Sequence, residues 1–294
     1  MGLADWFSSF CSTIQVKNAD SIARRCKAIT KRLNTDFRST TSETANSFYA
    51  GSYGRSTAIN GTSDVDVIYV LPYSVYKQYD DYAGNGQSAL LQAVRNSLQK
   101  TYSSSHIAGD GQVIAIKFDD GITFEIVPAF VNTGGSYTFP DSNGGGSWKT
   151  TNPKPEIAAI RTRNDDCNGN LIRLCRMARA WKSQCAVTMG GLLIDTLAYQ
   201  FIGSWQYRDK SYFYYDYMCR DFFKFLADQD KEKTYWTAPG SGQWVHAPKN
   251  QFQYKAKRAY NMALEAIAHE TADPKREWSA KQEWRNIFGT SFPD

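Results

Sequence analysis

Two aspartates one residue apart carry the first chemical signal in this chain. Asp64 and Asp66 stand in DVDVIYVL, a run otherwise made of Val, Ile, Tyr and Leu. Side chains two apart on a strand share a face. Both carboxylates therefore point one way, while Val65, Val67 and Tyr69 point the other way, into a core. Carboxylates that close repel unless a cation lies between them. Magnesium suits them, because it takes hard oxygen ligands and leaves positions for substrate phosphates. Solvated aspartates on an edge strand would look the same, so the neighbouring residues decide.

Upstream, FYAGSYGRSTAING supplies Gly51-Ser52 and Gly54. Such a turn lets backbone N–H groups approach an anion closely, because no Cβ intrudes. A short helix expected over Ser56–Asn60 would aim its N-terminus the same way. Arg55 reads equally as a phosphate neutraliser or as a residue facing water. Downstream, Glu125 sits between Phe124 and Ile126, so its face is opposite to theirs. If its strand lies beside Val65–Leu71, Glu125 completes a triad of acids next to a phosphate cradle. That set fits two-metal phosphoryl or nucleotidyl transfer.

These residues need elements to position them. Ile22, Cys26, Ile29, Leu33 and Phe37 recur at helical spacing, with basic residues off the stripe, and predict a helix over Asn18–Phe37. A short strand near Ser47–Ala50, the strand Val65–Leu71 and a helix over Ser88–Tyr102 follow. Asp119-Asp120-Gly121 between Gln112–Phe118 and Ile122–Val127 is a hairpin signal. Asn132–Pro155, rich in Gly, Ser, Asn and Pro, reads as a long loop. Beyond it, helices are expected over Leu171–Cys185, Leu192–Ile202, Tyr212–Asp228, Gln253–His269 and near Lys281–Phe288. The change of character places a domain boundary near residue 155.

Composition narrows the field. The chain has 294 residues, enough for one large domain or two ordinary ones, and a net charge of +5 without a dense basic run. The six cysteines form no Cys-x-x-Cys pair and the three histidines stand apart, so a zinc module is not expected. The N-terminus lacks the pattern of a signal peptide, and no apolar run is long enough to span a bilayer. A cytoplasmic protein is expected, with no membrane partner. Aromatic residues make up 14%; such stripes more often build a core than stack on a base. Asp195, in GGLLIDTLAYQF, reads as a helix-surface acid, with a buried polar group facing a cleft as the alternative.

GSYGRSTAINGTSDVDVIYVLP resembles the signature of the polymerase-β-like nucleotidyltransferases, Gly-Ser followed a short way on by Asp-x-Asp in a strand. FEIVPAF (Phe124–Phe130) is similar to the third-carboxylate strand of oligoadenylate synthases and of the bacterial cGAS/DncV-like nucleotidyltransferases. LIRLCRMARAWKSQ (Leu171–Gln184) resembles the helix that follows the catalytic core there. The resemblance spans about Ile22 to Ile202. It departs from the family at Glu125, where Asp is common and the extra methylene moves the carboxylate outward.

The resemblance implies an α+β fold, a mixed sheet flanked by helices, with a C-terminal helical domain. Residues 1–155 would be the catalytic core with its N-terminal helix, and 156–294 a helical domain closing the nucleotide cleft. Gly51 and Ser52 would hold the β- and γ-phosphates of a donor nucleotide. Asp64, Asp66 and Glu125 would be the catalytic acids and the ligands of two magnesium ions, with manganese as a substitute. Lys182 is the candidate triphosphate contact from the helical domain, against the plainer reading of a solvated helix end; Arg176 and Arg179 are weaker alternatives. Substrates would be nucleoside triphosphates, ATP together with GTP, UTP or CTP. The animal DNA sensor of this family carries a His/Cys zinc insertion that this chain lacks, so sensing of double-stranded DNA is not expected. The bacterial branch makes cyclic di- or trinucleotide signals in antiviral defence, and a downstream effector would recognise the product. The competing reading is a linear oligonucleotide synthase or an RNA- or tRNA-tailing enzyme, which should show a stronger basic track.

Overall fold

The computed structural model describes residues 2–61, 64–248 and 251–294. The first helix, α1 (Leu3–Ile14), buries Trp6, Phe7, Phe10, Cys11 and Ile14 along one side. The basic amphipathic helix forms as expected: α2 (Ala19–Arg38) buries Ile22, Cys26, Ile29 and Leu33 and ends on a left-handed Ser39. Strand β1 (Ser47–Tyr49), a single helical turn α3 (Gly51–Gly54) and strand β2 (Val65–Val70) come next. Helices α4 (Tyr73–Asp80) and α5 (Gly86–Gln99) follow; Asn85 caps α5, its Oδ1 accepting from the Ser88 N–H at 2.8 Å. Then come β3 (His106–Asp110), β4 (Val113–Lys117), β5 (Thr123–Val131), β6 (Tyr137–Asp141) and β7 (Ser147–Thr151). The second half holds α6 (Pro153–Asp166), α7 (Asn170–Gln184), α8 (Gly191–Ser204) and α9 (Tyr215–Ala227). A small hairpin of β8 (Tyr235–Thr237) and β9 (Trp244–His246) precedes α10 (Gln253–Glu270) and α11 (Glu277–Phe288).

Two compact units result. The sheet unit comprises Lys17–Gly54 and Ser63–Lys154. Its strands run in the order β1-β2-β5-β4-β3, with β6 on β5 and β7 on β6. β2 and β5 are parallel neighbours, whereas β4–β5 and β3–β4 are antiparallel, so the sheet is mixed. The Asp-Gly hairpin between β4 and β5 turns at Gly121, whose φ of +82° needs a residue without Cβ.

The helical unit comprises Met1–Val16, Arg55–Thr62 and Pro155–Asp294. Helix α1 belongs here because its rings complete an aromatic core. Phe7 meets Trp284 edge-on at 5.1 Å, and Phe10 packs on Phe288 at 4.6 Å. Ala256, Ala259, Ala263 and Ala266 form a wholly buried stripe on α10, small enough to let neighbouring helices come close. All six cysteines are free thiols, buried except for the partly exposed Cys185. Among the described residues no helix is long and apolar enough to cross a membrane.

Two expectations fail locally. Asn132–Pro155 is not a long loop, because β6 and β7 form an antiparallel ladder there and α6 starts at Pro153. Glycine and serine in that stretch serve the turn, where Gly144, Gly145 and Gly146 all take positive φ. Ser56–Asn60 is not helical. Burial of Thr57, Ala58 and Ile59 holds that segment in an irregular path, and the helical turn falls earlier, at Gly51–Gly54.

Candidate active site

The sheet register brings the acids together. β2 and β5 pair in parallel with Asp66 opposite Glu125, so both side chains leave the same face at the same height. One residue outward on each strand, Val65 and Phe124 pair on the opposite, buried face. Asp64 precedes β2 and is exposed; Thr62 and Ser63 before it lie outside the described residues. Further along the acid face, Ile68, Ala129 and Ala50 form an apolar cluster with Tyr137. Lys154 lies over the Phe48 and Tyr137 rings there at 4.9 and 5.4 Å. That cluster holds the two strands in register beneath the acids.

Electrostatics agree with the register. Burial pushes the Glu125 carboxyl above its ordinary value, and the charges of Asp66, Asp64 and Asp110 push it in the same direction. Asp110, at the end of β3, is therefore a further acid bearing on the site. HIAGD carries too little apolar alternation for the sequence to reveal it as a strand. Asp64 also helps burial to raise the Tyr53 hydroxyl.

The glycine turn sits directly against Asp66. The Ala50 N–H donates to the Asp66 carbonyl at 2.9 Å, and the Gly54 N–H closes the turn onto the Ala50 carbonyl at 2.7 Å. Gly51 takes a φ of +52°, and a Cβ placed there would lie 2.6 Å from Asp66 Cγ. Only glycine fits that position. Gly51, Ser52, Asp64, Asp66 and Glu125 thus belong to one patch of the sheet unit.

Lys182 belongs to the helical unit, on the last turn of α7, half-buried and in no ion pair among the described residues. Three other readings are corrected. Asp195 is no surface acid: it is wholly buried, and burial alone would raise its carboxyl, yet Arg179 and then Arg55 hold it at about 2. Arg179 Nη2 and Arg55 Nε donate to its Oδ2 at 2.9 and 2.8 Å, and the Thr57 hydroxyl adds a bond at 2.9 Å. Arg55 also lies 3.5 Å from Glu156. Arg55 and Arg179 are thus committed to buried carboxylates, not to water or phosphate. The sequence shows no sign of this, because the partners lie far apart along the chain.

A divalent cation suits the donors. Asp66 and Glu125 offer hard oxygens on neighbouring strands, and burial, then repulsion from Asp66, has already raised Glu125. Among the described residues no three acidic, His or Cys side chains close on one point by themselves.

A mixed sheet with two acids in register, a glycine turn against one of them and a helical second half is the fold of a polymerase-β-like nucleotidyltransferase. Residues 1–164 match the model of the Second Messenger Oligonucleotide or Dinucleotide Synthetase domain. The chain belongs to that family, the cGAS/DncV-like nucleotidyltransferases. It is 22% identical over 285 residues to a probable cyclic nucleotide synthase of Bacillus cereus strain VD146, covering 83% of this chain and 81% of that one. Its fold resembles that of E. coli MS115-1 CdnC with ATP, at 17% identity and TM-score 0.66 over 99% of both chains. It also resembles Bradyrhizobium diazoefficiens CdnG with GTP, at 12% identity and TM-score 0.69 over 98% and 95%. The likeness to Vibrio cholerae DncV, a cyclic AMP-GMP synthase bound to a linear intermediate, has 13% identity and TM-score 0.66 over 99% and 87%.

Proposed function

We propose that this nucleotidyltransferase joins nucleoside triphosphates into a cyclic di- or trinucleotide signal, in a magnesium-dependent reaction that serves antiviral defence. The observation that carries the reading is the pairing of Asp66 with Glu125 beside a turn where only glycine fits. The ATP, GTP and linear intermediate held by the related folds support nucleoside triphosphates as substrates.

In this reading the catalytic core is drawn from residues 1–155 and the helical domain from 156–294, except that Met1–Val16 and Arg55–Thr62 pack with the helical part. The N–H groups of Gly51 and Ser52, with the Ser52 hydroxyl, hold the β- and γ-phosphates of the donor. Asp64, Asp66 and Glu125 would hold two magnesium ions, or manganese, which supply neutralisation of the triphosphate and a more acidic acceptor hydroxyl. The 2′- or 3′-hydroxyl oxygen of the acceptor gives up its proton to solvent and bonds to the α-phosphorus, the α–β bridge breaks, and pyrophosphate leaves in line carrying the electron pair. Lys182 contacts a triphosphate. A second transfer closes the ring, and a downstream effector reads the product in the cytoplasm, without double-stranded DNA as the trigger.

Incubating the purified protein with labelled NTPs and magnesium tests this. Small phosphatase-resistant products, identified by mass spectrometry, are expected. Silence until RNA is supplied, followed by RNA extension, would replace this reading with that of a tailing enzyme.

A further inference from the structure

Within the helical unit, α1 and the start of α7 line a half-open cavity of about 380 Å³. Ser8, Ser12, Gln15, Arg173, Arg176 and Tyr212 are among the residues lining it. Its charge is one-sided. Arg176 makes no hydrogen bond or ion pair among the described residues, and its Nε–H is shut off from solvent without an acceptor. Arg173 donates only to neutral oxygens: the Asn168 carbonyl at 2.9 Å, and Asn170 Oδ1 and the Tyr215 hydroxyl at 3.3 Å each. No acid lines the cavity. The one titratable thiol there, Cys11, is pushed up to about 12 by burial, so it stays neutral and offers no counter-charge.

Arg55 and Arg179, the buried arginines of this unit, are each paired with a carboxylate. Arg173 and Arg176 are not. Two guanidiniums without a carboxylate partner beside hydroxyls and an amide, in a space of small-ligand size, match the paired oxygens of phosphate. We propose that this cavity binds a soluble, multiply charged phosphate compound through Arg173 and Arg176. It uses none of the residues that the proposed function assigns, and Arg176, the weaker alternative to Lys182 as a triphosphate contact, lines this cavity; the Ser12→Trp variant below keeps the two sites apart.

Inorganic tripolyphosphate is the probe. It is titrated calorimetrically, with EDTA present and ionic strength held constant, into the full chain carrying Asp64→Asn and Asp66→Asn, which removes the acids proposed to hold the metal. Saturable one-to-one binding is expected. Arg176→Met should weaken it at least about tenfold, the loss of a charge-assisted hydrogen bond. Without the probe, Arg176→Met should melt at the same temperature as its parent or higher, because it removes a partly buried charge that has no carboxylate partner. Ser12→Trp, which fills the cavity and leaves both arginines in place, should abolish binding. No saturable binding by the parent overturns the proposal. So does a much lower melting temperature for Arg176→Met, or undiminished binding by both variants.

Discussion

The Asp66 carboxyl group occupies the space where any side chain at residue 51 would begin, so Gly51 and Asp66 are fitted to each other. The Ala50–Asp66 backbone bond at 2.9 Å keeps them so, and the φ of +52° at Gly51 adds a second reason for glycine. In Gly51→Ala the Asp66 side chain has to swing away or the turn has to lift. We expect a loss of about 1–3 kcal/mol in stability and a fall in nucleotidyl transfer of about a hundredfold from the misplaced acid. Denaturant unfolding and product formation measure the two. Unchanged activity in a folded Gly51→Ala protein would separate the turn from the chemistry.

Glu125 stands where its charge is unwelcome without a cation. Glu125→Gln removes the repulsion with Asp66 and should leave metal-free stability equal or higher, while transfer drops by about a hundredfold or more. Magnesium should raise the melting temperature of the wild type and do so less in the variant. The catalytic assignment fails if magnesium protects both equally and the variant keeps its rate.

Asp195 is the buried anchor of the helical unit. Asp195→Asn strips the counter-charge from Arg179 and Arg55, and about 3–5 kcal/mol of stability should go with it. Its folded pKa lies near 2, below the ordinary 3.8. The stabilisation is therefore present above about pH 4 and disappears as pH falls through 2. Chemical denaturation at pH 7 and at pH 3 should show the gap between wild type and variant narrowing in acid. A constant gap would point to packing alone.

Asp216 has the opposite sign. It is buried at the start of α9, with Oδ1 lacking a partner, and burial raises its carboxyl to about 6 despite the Tyr217 backbone N–H and Arg220. A raised carboxylate pKa favours the fold below the unfolded value and is a cost once pH rises through 6. Asp216→Asn should therefore stabilise by about 1–3 kcal/mol at pH 7.5 and by little at pH 4. The measurement is melting temperature against pH for both proteins; parallel curves would rule out titration of Asp216 as the cause.

Local patterns set much of this molecule. Asp64-Val65-Asp66 within an apolar run, the Asp-Gly turn at 120–121 and the amphipathic Ala19–Arg38 stripe carried their own meaning, because alternation and helical period depend only on near neighbours. So did the family signature, which lies within short stretches. The pairing of Asp66 with Glu125 was a conditional in the sequence, since strand order depends on non-local contacts that no local period encodes. The extra bearing of Asp110 on Glu125, the β6–β7 ladder and the membership of α1 in the helical unit are of the same kind. Asp195 shows the limit best: it reads as a helix-surface acid, and only packing against Arg55 and Arg179 shows it to be a buried anion. A residue's type says what chemistry it can do; the partners that fold around it set its charge and surroundings, and those partners come from anywhere along the chain.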